Sequence, residues 1–147
     1  LSHSYSQNTI HIVFSTYERQ RTIPKDFQPR FWPYVSGIFK NEGVFVHAIG
    51  GMDDHLHCLV QLPPMLPLAK AINTVKSYSS KWAKDFGHKF AWQKGYGAFS
   101  VSQSNIQSVI RYIDTQEQHH RKMGFEEEFV QLLKKHQIEF DPKYVFG

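Results

Sequence analysis

Residues 44–62, VFVHAIGGMDDHLHCLVQL, read as two strands joined by a turn. Residues 44–50, VFVHAIG, and 55–62, HLHCLVQL, are short, rich in apolar and β-branched residues, and too brief for ordinary helices. Gly50, Gly51 and the acidic pair Asp53–Asp54 mark the turn between them, and Pro63, Pro64 and Pro67 stop the second strand. Alternate residues of a strand point to opposite faces. Leu56, Cys58, Val60 and Leu62 therefore face a core, and His55 and His57 face the other way together.

Outward from this hairpin, residues 9–17, TIHIVFSTY, read as a strand with Ile10, Ile12 and Phe14 on one face. Residues 25–42 carry Phe27, Phe31, Tyr34, Val35, Ile38 and Phe39 at helical spacing, with Pro24 placed at the first helical position. Residues 68–86 form a second helix with Leu68, Ile72, Val75, Tyr78, Ser79 and Trp82 along one stripe. Residues 97–101, GAFSV, form a short fourth strand. A helix over 104–122, capped by Ser102 or Ser104, and a last helix over 125–136 complete the chain. The first six elements give an α+β fold of the ferredoxin-like, split βαβ kind: one antiparallel sheet with two helices on one face. The other face needs a cover, from the C-terminal helices or from a second subunit.

The 147 residues fit one domain spanning 1–147, and 41% hydrophobic with 15% aromatic content excludes a disordered chain. No apolar run approaches the roughly 20 residues of a membrane span. The opening LSHSYSQNT has no signal-peptide pattern, and the single cysteine excludes a disulfide framework, so the cytoplasm is the expected compartment. The net charge of +4 permits a polyanionic partner without requiring one. The nine histidines direct attention to metal-ligand spacing.

Two imidazoles on one face of a central strand make a half-site for a divalent cation. The pair by itself reads more readily as two polar residues on an exposed sheet face. In VIRYIDTQEQHH, Tyr112 and Gln116 lie four apart on the predicted helix and so share a face, with Val109 and Ile113 packing beside it. Gln116 offers a neutral carbonyl oxygen, and with His55 and His57 it makes a three-ligand set that suits Mg²⁺ or Mn²⁺. Taken singly, Tyr112 reads as a half-buried aromatic and Gln116 as a solvated residue. His120 could approach the same face, although a surface helix end is the simpler reading. His11 and His47 read as packed strand residues, Asp53 and Asp54 as turn residues, and Cys58 as an inert core thiol.

HLHCLV after the GG turn resembles the histidine–hydrophobic–histidine motif of the HUH nucleases. VIRYIDTQEQHHRKMGFEEEF resembles the tyrosine helix of their single-tyrosine branch, the IS200-like transposases of the simplest bacterial insertion sequences. The opening strand and FSVS are similar to that family too, so the resemblance covers nearly the whole chain. It implies a DNA transposase in which His55, His57 and Gln116 bind Mg²⁺ or Mn²⁺ and Tyr112 is the nucleophile. It also implies single-stranded DNA with hairpin ends as substrate, a 5′-phosphotyrosine intermediate, and a homodimer in which one chain's tyrosine helix can complete the other's site.

Lys70, Lys76, Lys81 and Lys84 recur along the second helix, and Arg111, Arg121 and Lys122 lie around the tyrosine helix. Trp82, Trp92, Phe90 and Tyr96 are candidate stacking platforms for bases. The alternative is a solvated lysine face over a core of aromatics, the favoured reading for Trp82. Three other functions fit parts of the pattern: a host-adapted nickase, a non-catalytic nucleic-acid-binding module, and a metal hydrolase using activated water.

Overall fold

The structure is a computed structural model that describes residues 3–146. Its elements in chain order are β1 (Thr9–Ser15), α1 (Gln28–Asn41), β2 (Phe45–Gly51), β3 (His55–Gln61), α2 (Leu68–Asp85), β4 (Gly97–Ser100), α3 (Ile106–Asp114), α4 (Gln116–His119) and α5 (Phe125–Lys135). The sheet order is β2-β3-β1-β4 and every pairing is antiparallel. This is the α+β, split βαβ arrangement expected from the sequence.

Alternation along the central strands sorts the two faces. Ile12 and Phe14 of β1 and Leu56, Cys58 and Val60 of β3 pack against Phe31, Val35 and Phe39 of α1 and Ile72 and Val75 of α2. Each such large side chain contributes about 1.5–3 kcal/mol by leaving water. On the opposite face Leu59 meets Ile106 and Ile113 of α3. Val13 and Phe99 meet Phe125 and Leu133 of α5. The C-terminal helices of the same chain thus supply the cover.

Three local readings are corrected. Pro24 does not open α1. Its carbonyl accepts from the backbone N–H groups of Phe27 and Gln28, closing a turn ahead of a helix that begins at Gln28 with a proline, Pro29, in its first turn. Gly50 and Gly51 are not in the turn but end β2. A Cβ on Gly51 would stand 2.1 Å from the carbonyl oxygen of His55, so only glycine fits where the hairpin closes.

The third correction concerns the tyrosine segment. The continuous helix expected over 104–122 is a 3-10 turn at Gln103–Asn105, then α3, then a break at Thr115, then α4. Neither serine caps it: the hydroxyls of Ser102 and Ser104 lie 3.2 Å from each other. At Thr115 the backbone leaves the helical region (φ −111°, ψ 28°), and its hydroxyl donates to the Arg111 carbonyl at 2.8 Å. A threonine bonding back to the preceding turn competes with the helix ladder and bends it.

Candidate metal and nucleophile site

β3 is the innermost support of the site. His55 and His57 are both fully buried, at 0% exposure, under the C-terminal helices, which excludes the exposed-face reading of the pair. Each has one ring nitrogen held from behind. Asp54 Oδ1 lies 2.7 Å from His55 Nδ1. His11 Nε2 lies 2.8 Å from His57 Nδ1, the two rings stacking across the β1–β3 pair. Such partners behind an imidazole fix its orientation and leave the other nitrogen to act. Asp54 and His11 are therefore more than turn and packing residues.

The free nitrogens converge. His55 Nε2 lies 3.0 Å from Gln116 Oε1. The break at Thr115 turns Gln116 inward, where it is buried and its amide nitrogen donates to the Tyr112 carbonyl at 3.3 Å. Sequence reading missed one residue here. Glu128 of α5 is 2% exposed, and its Oε1 lies 3.0 Å from His57 Nε2 and 3.4 Å from His55 Nε2. Ligand atoms of His55, His57 and Glu128 all fall within 4.8 Å of one another. The signal was present: Glu128 follows Phe125 by three and precedes Leu132 by four, an acid on the apolar stripe of its helix.

Tyr112 joins the same cluster. Its hydroxyl donates to Glu128 Oε2, and its ring centroid is 5.7 Å from that of His57. His120 also belongs here, and not to a free helix end: its Nε2 is 3.0 Å from Gln116 Oε1 and 3.2 Å from Glu128 Oε1. All of these groups belong to the one chain described.

Burial and charge set the protonation states. Burial opposes ionisation of Glu128, but hydrogen bonds from His120 and His57 and the histidine charges outweigh it and hold the carboxyl well below its usual range. Burial pulls His57 down to about 4, against the opposing pull of Glu128, and likewise lowers His11. His120 moves the other way: burial would lower it, and its bond to Glu128 outweighs that. Burial, then the bond to Glu128, push the Tyr112 phenol above its ordinary value. Cys58 lies on the opposite face, fully buried, its thiol pushed up by burial.

The donors fit a divalent cation. In the tautomer with its proton on Nδ1, toward the Asp54 carboxylate, His55 turns an Nε2 lone pair toward two oxygens, Gln116 Oε1 and Glu128 Oε1. Lone pairs facing one another call for a positive centre between them. Imidazole, amide oxygen and carboxylate are donors that Mn²⁺ and Mg²⁺ accept.

The outer surface divides the expected binding residues. Lys76 is no solvated lysine: its ammonium donates to the carbonyls of Gln93 at 2.9 Å and Gly95 at 2.6 Å, and burial lowers it to about 8. Phe90 is core, and Trp92 packs edge-on against Phe14 and donates to the Ser79 hydroxyl. Trp82 stacks on Tyr34 with ring centroids 4.2 Å apart, in line with the packed reading. Tyr96 remains exposed, as do Lys70, Lys81, Lys84, Arg111, Arg121 and Lys122.

With this geometry in hand, comparison with known proteins is decisive. The sequence model of the family described as transposase IS200-like matches residues 4–116. The chain belongs to the IS200-like transposase family. Two solved structures share its fold. One, described as a candidate transposase from Deinococcus radiodurans R1, has a TM-score of 0.62 and 17% identity over 79% of this chain and 96% of that one. The other, a REP-associated tyrosine transposase bound to a REP hairpin, has a TM-score of 0.62 and 14% identity over 82% of this chain and 73% of that one. No curated protein sequence matches the chain significantly. As an IS200-like transposase the chain is a DNA-recombining enzyme. Among the described residues, no helix is long and apolar enough to cross a membrane.

Proposed function

We propose that this transposase cuts single-stranded DNA at hairpin-bearing element ends, with Tyr112 as nucleophile and a divalent cation, Mg²⁺ or Mn²⁺, held by His55, His57 and Gln116. The observation that carries the reading is the convergence of the Tyr112 hydroxyl, both histidine Nε2 atoms and Gln116 Oε1 on one buried cluster. When bound, the cation withdraws charge from the non-bridging oxygens of the scissile phosphate. His55 and His57, each fixed from behind, hold their donors in place without reorganisation. Gln116 does the same through its bond to the Tyr112 carbonyl, which ties the ligand to the nucleophile's own turn.

Tyr112 Oη forms a bond to phosphorus as the bond from phosphorus to O3′ breaks. The phenol proton is lost and the leaving oxygen ends as a 3′-hydroxyl. The 5′-phosphotyrosine keeps the energy of the cut bond, and a different 3′-hydroxyl can reverse the step at a new junction without ATP. An element has two ends and the chain supplies one such tyrosine, so two chains acting as a homodimer belong to this reading. The hairpin in the REP-associated relative supports folded single strands as the substrate class.

The test is incubation with single-stranded DNA carrying a hairpin, with Mn²⁺, followed by a denaturing gel. A covalent protein–DNA band, absent with blunt duplex, is the expected result. Cleavage without any band would place the chemistry with activated water, and binding without cleavage would leave a nucleic-acid-binding module. Binding should weaken as salt rises, because phosphate contacts release counterions.

A further inference from the structure

We infer that Glu128 is a metal ligand of this chain, joining His55 and His57, and that its second oxygen positions the Tyr112 hydroxyl; the inference rests on the metal-dependent reading above. Four observations carry it. First, the ligand atoms of His55, His57 and Glu128 lie within 4.8 Å of one another. Adjacent ligands sharing an ion at about 2.1 Å stand roughly 3 Å apart, and Glu128 Oε1 is 3.0 and 3.4 Å from the two histidines.

Second, a carboxylate that is 2% exposed is costly unless paired. Among the described residues its ion-pair partners are histidines only: His55, His57 and His120. No lysine or arginine neutralises it there.

Third, the two carboxylate oxygens are divided. Oε1 faces the histidines and Oε2 accepts from Tyr112. One side chain thus spans the donor cluster and the nucleophile, fixing their spacing through a single rigid group. Fourth, Gln116 is a neutral amide, and hard cations such as Mg²⁺ and Mn²⁺ favour a carboxylate among their ligands. Glu128 supplies that charge from α5, which lies outside the family-matched residues 4–116.

Calorimetric titration with Mn²⁺ tests the inference on the full chain. Wild type, Glu128→Gln and Glu127→Gln are compared, Glu127 being the exposed neighbour. Glu128→Gln keeps the side-chain shape and should weaken Mn²⁺ by about tenfold or more, since even groups behind a ligand cost that much. Glu127→Gln should match wild type. Affinity in Glu128→Gln within about twofold of wild type, with wild type binding, overturns the inference and leaves the histidine–glutamine site standing. No Mn²⁺ binding by wild type overturns the metal reading itself. Should the thermal melt show Glu128→Gln unfolded, wild type labelled with ¹³C at its glutamate carboxylates is titrated with Mg²⁺. A shifted carboxylate signal is expected, and none shifting overturns the assignment.

Discussion

Gly50 lies directly against the backbone of Ile113: a Cβ at residue 50 would stand 3.1 Å from the Ile113 carbonyl oxygen and 3.3 Å from its Cγ2. The hairpin edge and the helix carrying Tyr112 thus approach as closely as a missing side chain allows. Gly50→Val should push α3 outward, moving Tyr112 away from Glu128. Overpacking of this kind costs about 1–3 kcal/mol. The expected outcome is a folded chain with a lowered melting temperature and cleavage reduced more than DNA binding, read by melts, gel-shift and cleavage on the same preparation.

Tyr112→Phe should abolish cleavage and the covalent band while retaining hairpin binding. Its stability effect is larger than a surface hydroxyl's would be. Glu128 Oε2 loses its donor, and leaving a buried acceptor unmet costs about 1–3 kcal/mol. Chemical denaturation measures the loss; a covalent band persisting in the variant would assign the nucleophile elsewhere.

His57→Ala should weaken Mn²⁺ by more than tenfold, since it removes a ligand with a fixed partner behind it, where loss of even the partner costs about 10–100-fold. Gln116→Ala should weaken it less, because water can replace a neutral amide oxygen. Equal Mn²⁺ affinity in His57→Ala and wild type would take the ion off β3.

The histidine pair was legible in the sequence because a strand's alternation is rigid: once Leu56 and Cys58 are assigned inward, His55 and His57 must share the other face. Gln116 was placed in the right cluster by helical spacing, yet the helix is broken before it. The cause is a Thr115 hydroxyl that bonds Arg111, a local competition that periodicity does not register. Glu128 was hidden in the run Glu126–Glu127–Glu128, which looks like an ordinary acidic first turn. Its place on the apolar stripe was the one sign that it turns inward while Glu126 and Glu127 face water. Lys76 was hidden similarly: a stripe of lysines looks solvated until the 93–95 loop folds over one of them.

Stability should fall in mild acid. His57 titrates near 4 in the fold, lowered by burial, and His11 is lowered in the same way; both return to about 6.5 when unfolded. As pH drops below 6.5 the unfolded chain takes up protons that the fold refuses, so stability declines from about pH 6.5 toward 4. Above pH 7 both forms are neutral and these two residues contribute no slope. The raised His120 contributes with the opposite sign over the same window, so melting temperatures of the metal-free His120→Asn chain across pH 4–8 check this, and a flat profile there would contradict the burial of the pair.

Mixing Tyr112→Phe chains with His57→Ala chains tests which chain completes which site. Tyr112 lies beside its own chain's His57 and Glu128, so the mixture should stay inactive. Recovery of the covalent band after verified subunit exchange would show instead that tyrosine helices are traded between partners.

Cys58 is the chain's single cysteine, sealed in the core on the far side of β3 with an unreactive thiol. The surface therefore offers no competing target for thiol-directed probes. A cysteine introduced at exposed Gln118 on α4 could carry a spin label or fluorophore in the otherwise native chain. Such a reporter would follow α4 in real time as DNA or Mn²⁺ is added, with no background to subtract.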